Sequence, residues 1–246
     1  DRRQRQMCIR DSLISRQRHL LLTFLISLIV SALLGLSIGS FKISVFDILL
    51  GKLDELGSTI LYTIRMPRVM LAAFVGASLA ISGACLQGLF RNPLADPGLI
   101  GVSAGAALGA AFAIVFSSRF ISLDFLGPYL IPFSAIIGSA SVIIILFVIT
   151  KGFGYDGVIY MLLAGIAVNA IAGVGIGVLT YISDDSELRS LTFWTMGSFG
   201  GVTWPLIRPA ILVIIFSIVW IIGLSRKLDL IQLGDVEASR LGINIK

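Results

Sequence analysis

The sequence predicts an all-α membrane protein, a polytopic bundle of six spanning helices in one domain over residues 1–246. Three observations carry that prediction. The chain is 57% hydrophobic and only 13% charged, with a mean hydropathy of +0.98, and a soluble chain of this length cannot cover so much apolar surface with so few polar side chains. Six long, nearly uncharged stretches, Leu20–Ile38, Val69–Phe90, Leu99–Phe116, Tyr129–Thr150, Val158–Ile182 and Leu206–Leu224, have the length of a bilayer crossing. Basic residues gather at the two ends: six of the 19 Lys and Arg precede His19 and four follow Leu224.

Taken in order, residues 1–19 read as a polar cytoplasmic tail. The first span has no small-residue cleavage site and reads as a retained helix. Its Ser27, Ser31, Gly35 and Gly39 recur at the four-residue spacing that lets membrane helices approach closely. Phe41–Tyr62, with Asp47, Lys52, Asp54 and Glu55, is polar enough for a short surface segment. The second span, at about 1.5 Å per residue, is about 33 Å long. Arg65 and Arg68 frame one end beside Pro67. Gly76, Ala80, Ala84 and Gly88 make its small stripe, and Gln87 is an amide that needs a protein or water partner in hydrocarbon.

Arg91-Asn-Pro-Leu-Ala-Asp-Pro97 then makes a compact cytoplasmic reversal. Pro93 and Pro97 disfavour helix in the residues before them, and Asn92 and Asp96 are turn formers that bond to their own backbones. The third span shows Gly101, Gly105, Gly109 and Ala113 at the same spacing, and the fifth shows Gly165, Asn169, Gly173 and Gly177. For Asn169, as for Gln87, an interhelical hydrogen bond competes with pathway lining. Ser183–Trp204 predicts a short helix capped by Ser183 or Asp184, with Glu187 within reach of its first turn and Gly197, Gly200 and Gly201 ending it. Phe193, Trp194 and Trp204 suit an interfacial aromatic belt. The sixth span has no small stripe and reads as lipid-facing. Residues 225–246 form a cytoplasmic segment in which Gly234 and Gly242 bracket about two helical turns, with Ala238, Leu241 and Ile245 apolar and Val236, Ser239 and Arg240 on the charged side. Such a helix fits a groove in a partner.

Charge sets the expected orientation. Placing the N-terminus in the cytoplasm puts twelve of the basic residues inside and seven outside, Arg65 and Arg68 among the latter. The basic residues form no nucleic-acid face. No span holds a central carboxylate, which argues against ion coupling. Cys8 and Cys85 are two separated thiols rather than a disulfide framework. No metal-ligand spacing, activated nucleophile or phosphate-cradling loop is visible, so the chain reads as no enzyme and as binding no cofactor of its own. A packing scaffold without transport is the alternative reading. Both ends of the chain are expected to continue beyond Asp1 and Lys246.

The run RMPRVMLAAFVGASLAISGACLQGLFRNPLADPGLIGVSAGA, followed in order by LLAGIAVNA, LTFWTMGSFGGVTW and LGDVEASRLGI, resembles the permease family of type II ATP-binding-cassette importers for iron–siderophore complexes, haem and cobalamin. The resemblance implies a homodimer in a prokaryotic inner membrane, two ATPase subunits that hold ATP and Mg, and an extracytoplasmic substrate-binding protein. It implies that Arg65 and Arg68 dock the binding protein. It also implies that Gly234, Asp235, Val236, Glu237, Ala238, Ser239, Arg240, Leu241 and Gly242 seat in the ATPase. Family members have ten spans, so six leave the chain about four short.

Overall fold

The computed structural model describes residues 2–117, 127–151 and 157–242, and every regular element among them is helical. In chain order these are α1 (Arg2–Ser37), α2 (Val45–Leu50), α3 (Glu55–Thr59), a π-helical turn (Ile60–Arg65), α4 (Met66–Phe90), a 3-10 turn (Pro97–Ile100), α5 (Val102–Ser117), a 3-10 turn (Gly127–Tyr129), α6 (Leu130–Thr150), α7 (Gly157–Ile182), α8 (Asp185–Met196), α9 (Trp204–Gln232) and α10 (Asp235–Arg240). The chain divides into two compact units, one of Asp1–Ala73 with Gly201–Ile207 and one of Phe74–Gly200 with Arg208–Lys246.

In the first unit, the segment read as a polar surface stretch is mostly helical. Ser44 accepts the amide of Phe46 to open α2, and Gly51 closes it at φ 64°. Asp54 accepts the amide of Gly57 to open α3. From there the helix runs on through the π turn into α4. The second span is therefore part of a helix from Glu55 to Phe90, 36 residues long, far more than the charge-free run. Its early charges lie where the helix is still polar, which a count of uncharged residues cannot see.

The second unit is held by glycines. A Cβ on Gly105 of α5 would lie 2.7 Å from the Gly138 carbonyl of α6, and one on Gly109 would lie 3.0 Å from the Ser134 carbonyl carbon. Only glycine permits backbones that close. Around this contact Ala111, Ile114 and Val115 of α5 meet Leu179 of α7 and Leu191 of α8. Asp184 opens α8 with a complete capping box: its carboxylate accepts the amides of Ser186 and Glu187, and the Glu187 side chain accepts the amide of Asp184. That reciprocal bond gives the buried Glu187 carboxylate a donor.

Among the described residues, five helices are long and apolar enough to cross a membrane: Arg16–Ser37, Glu55–Phe90, Gly127–Thr150, Ile159–Ile182 and Trp204–Gln232. The helix of the expected third span begins later than its uncharged run. Leu99 and Ile100 belong to the 3-10 turn, Gly101 breaks the chain at φ 87°, and α5 begins only at Val102. Hydropathy cannot register a left-handed glycine, so Leu99–Phe116 read as one span. On α9, Leu212, Phe216, Val219 and Trp220 are exposed, as expected of a lipid-facing helix, and the helix runs eight residues past Leu224 to Gln232.

Candidate functional site

The two arginines beside Pro67 do different things. Arg65 is buried at 8% exposure. Its guanidinium donates to the carbonyls of Leu36 at 2.6 Å and Ser37 at 2.7 Å, and to that of Phe41. Leu36 and Ser37 end α1, where helix carbonyls lack intrahelical donors, so Arg65 caps that helix from a distance in sequence. Gly39, read as part of a packing stripe, makes the space: a Cβ there would lie 2.6 Å from Arg65 Nη2. The docking contact implied for Arg65 is thus not offered by the side chain as it stands. Arg68 is exposed and remains available. The π turn that delivers Arg65 also turns the Tyr62 carbonyl toward Trp204, whose Nε1–H donates to it at 2.8 Å. Trp204, expected as a membrane anchor, bonds to protein instead.

The reversal after α4 is bonded along its length. Arg91 N–H donates to Gly88 O and Asn92 N–H to Gln87 O, the paired bonds of a Schellman ending, with Arg91 in the left-handed position at φ 51°. The Asn92 carboxamide oxygen accepts the amide of Leu94 at 2.9 Å. The Asp96 carboxylate accepts the amide of Gly98 at 2.6 Å. Leu99 N–H donates to Asp96 O, and Gly101 N–H to Gly98 O. Pro93 and Pro97 need no donor partner. Asn92, Pro93 and Asp96 are exposed, whereas Ala95 is buried at 8% exposure and Ile100 at 3%.

The far end of this reversal is not at a helix end, as a simple surface turn requires. Asn169 Nδ2 donates to Gly98 O at 3.1 Å and to Leu99 O at 3.4 Å. A Cβ on Gly165 would lie 2.6 Å from Leu99 O and 2.9 Å from Ile100 Cα. Asn169 is midway along the 26-residue α7, about 18 Å from its start. Non-helical backbone persists at such a position only when its polar groups are satisfied, and here Asn169 serves the Gly98 and Leu99 carbonyls. Of the two readings of Asn169, the interhelical bond is the one observed. Gln87 lines a cleft of about 460 Å³ with Ala84, Gly88, Arg91, Asn92, Pro93 and Gln232.

At the chain's end, Gly234 at φ 107° precedes α10. Glu237 and Arg240 pair at 2.7 Å on its surface, and Ala238 is fully buried. Val236, Ser239, Leu241 and Gly242 are exposed, so Leu241 does not join Ala238 in a buried face. Ile245 falls outside the described residues. Sequence reasoning missed Gly138, which with Ser134 makes a small pair at four-residue spacing against Gly105 and Gly109. It also missed the bond from Arg91 Nε to Ile231 O at 3.0 Å, which links residues far apart in the chain.

A family model described as the FecCD transport family matches residues 26–246. The chain is 41% identical over 231 residues to the hemin transport system permease protein HmuU of Yersinia pestis, an alignment covering 94% of this chain and 68% of that one. It is 34% identical to the vitamin B12 import system permease protein BtuC of Vibrio vulnificus, covering 94% of this chain and 66% of the relative. It is 32% identical to the molybdate import system permease protein MolB of Haemophilus influenzae, covering 89% and 65%. Among solved structures, a metal-chelate-type ABC transporter in an inward-facing conformation superposes with a TM-score of 0.78 at 30% identity, covering 93% of this chain and 69% of that one. The chain spans about two thirds of the length of these relatives. A multi-pass helical protein with these motifs and these relatives belongs to the FecCD transport family.

Proposed function

We propose that this chain is the membrane-spanning permease subunit of an ATP-binding-cassette importer that brings an iron chelate, haem or a ferric siderophore, across a prokaryotic inner membrane. The observation that carries the reading is the ordered set of family motifs over residues 26–246, ending in a short helix set off by a left-handed glycine. The similarity to a hemin permease favours haem as the first candidate. The similarity to vitamin B12 permeases makes cobalamin the second.

In this reading the chain works as a homodimer beneath a substrate-binding protein and above two ATPase subunits. ATP and Mg sit on the ATPases, and the permease itself carries no cofactor and performs no chemistry. The positive-inside distribution supports a cytoplasmic N-terminus and a cytoplasmic α10. α10 seats in the ATPase, and Arg68 offers the exposed charge that pairs with acidic groups on the binding protein. Arg65 shapes that surface by holding the end of α1. The permease grips cargo weakly and the binding protein selects it.

Complementation tests the substrate. A strain unable to take up haem, ferric siderophore or cobalamin is supplied with the complete transporter and grown on each nutrient in turn. Growth on haem is the expected result. Growth on cobalamin alone moves the assignment to the second candidate, and growth on none of the three removes the iron-chelate and cobalamin assignments.

A further inference from the structure

Arg91 holds a costly backbone conformation, at φ 51°. A left-handed helix ending is the place for glycine, and any other residue there is disfavoured by about 1–2 kcal/mol. Arg91 is the one non-glycine residue with positive φ among those described. The turn's own hydrogen bonds come from backbone groups and would be kept by glycine, so the turn does not explain the arginine.

The side chain does. Arg91 Nε donates to Ile231 O at 3.0 Å, and the same carbonyl accepts the amide of Gly234 at 3.1 Å, the residue that opens α10. One turn back on α4, Gly88 presents no side chain to Gln232, whose Nε2 would lie 3.0 Å from a Cβ there. The root of α10 is therefore tied to the end of α4. From Arg91 the chain is internally bonded to Gly101, stiffened by two prolines, and ends clasped to the middle of α7 by Asn169.

We propose that the Arg91–Gly101 reversal is the rigid relay between the root of α10 and the interior of α7, with Arg91 and Asn169 as the positioning residues at its two ends. The proposal rests on the importer reading, in which α10 receives the ATPase stroke. A displacement of α10 then reaches the middle of a spanning helix through one stiff piece of backbone, without bending α7 from its end. Arg91 sets the coupling between hydrolysis and transport, and touches neither cargo nor nucleotide.

The test uses the complete transporter, reconstituted in liposomes with its ATPases and binding protein, and reads cargo taken up per ATP hydrolysed. Arg91→Gly relieves the backbone and removes the tie. Assembly and thermal stability should hold, while uptake per ATP falls about tenfold, the order expected when one charged hydrogen bond is lost. Asn169→Ala should fall similarly, and the double variant should fall no further, because both break one series connection. In a background with Cys8 and Cys85 replaced by serine, Arg91→Gly is combined with Gly88→Cys and Gln232→Cys. Oxidation to the disulfide should restore coupling and reductant should abolish it again.

Unchanged coupling in Arg91→Gly, multiplicative losses in the double variant, or no rescue by the disulfide would each overturn the relay while leaving the importer intact. A wild-type transporter that shows no ATP-driven uptake overturns the importer reading and the relay with it.

Discussion

Arg65 and Arg68 stand three positions apart, flank the same proline and carry the same charge, yet their environments are opposite. Removing the buried guanidinium strands the carbonyls it serves, so Arg65→Ala should cost about 2–4 kcal/mol and lower the thermal midpoint of the purified protein. Arg68→Ala should leave that midpoint unchanged. Arg68→Glu, in contrast, should abolish stimulation of ATP hydrolysis by the binding protein in reconstituted vesicles with folding intact. Full stimulation would remove Arg68 from the docking surface. That the two arginines ask for a purpose was legible in the sequence, since each is a charge held beside a span. Which of them is buried was not, because the carbonyls that Arg65 serves come from the end of α1 and from Phe41, more than twenty residues upstream. Asn169 was legible to the same degree: an amide in a span needs a partner, but the partner is a turn seventy residues away.

Helices show where pattern suffices and where it does not. The α8 cap was readable because its parts lie within four residues of one another. Asp184→Ala should therefore destabilise the protein by about 1 kcal/mol, measured as a shift of the denaturation midpoint. Glycine stripes were readable as packing faces, yet the spacing alone does not say which glycines are in contact. Gly138→Val drives a branched side chain into the Gly105 carbonyl and should prevent accumulation of folded protein in the membrane. Gly223→Ala meets nothing within 4 Å and should be neutral or stabilising by up to about 1 kcal/mol. Equal yields of the two variants, read from membrane fractions, would contradict the packing assignment. The helix of the third span starts later than its charge-free run, because a charge-free run and a continuous helix are different things. Asp96, Pro97 and Gly101 convert its first residues into a turn, and the hydropathy of Leu99 and Ile100 hides that.

For the molecule as a whole, the importer reading makes a topological demand. Single cysteines introduced near Arg16 and near Ser239, in a background lacking Cys8 and Cys85, should both react with a membrane-impermeant reagent only from the cytoplasmic side. Labelling from opposite sides would separate α10 from the ATPase and end the coupling scheme. The class of protein was plain from composition, because apolar side chains such as Phe24, Ile144, Val174 and Phe216 remain largely exposed when the chain is folded and only lipid or further protein can cover them. The family was plain from motifs that recur in order along the chain.

Local chemistry thus sufficed for the helical class, the apolar lengths, the caps and the turn formers, since each depends on residues within a few positions of one another. Three assignments needed the folded chain: burial of Arg65, depth of the Pro97–Ile100 turn against α7, and the bond from Arg91 to Ile231. The reason is common to all three. Each joins groups separated by tens of residues, and in a helical bundle that adjacency is set by how close two backbones can come, which depends on glycines such as Gly39, Gly88 and Gly165 having nothing where a side chain would be.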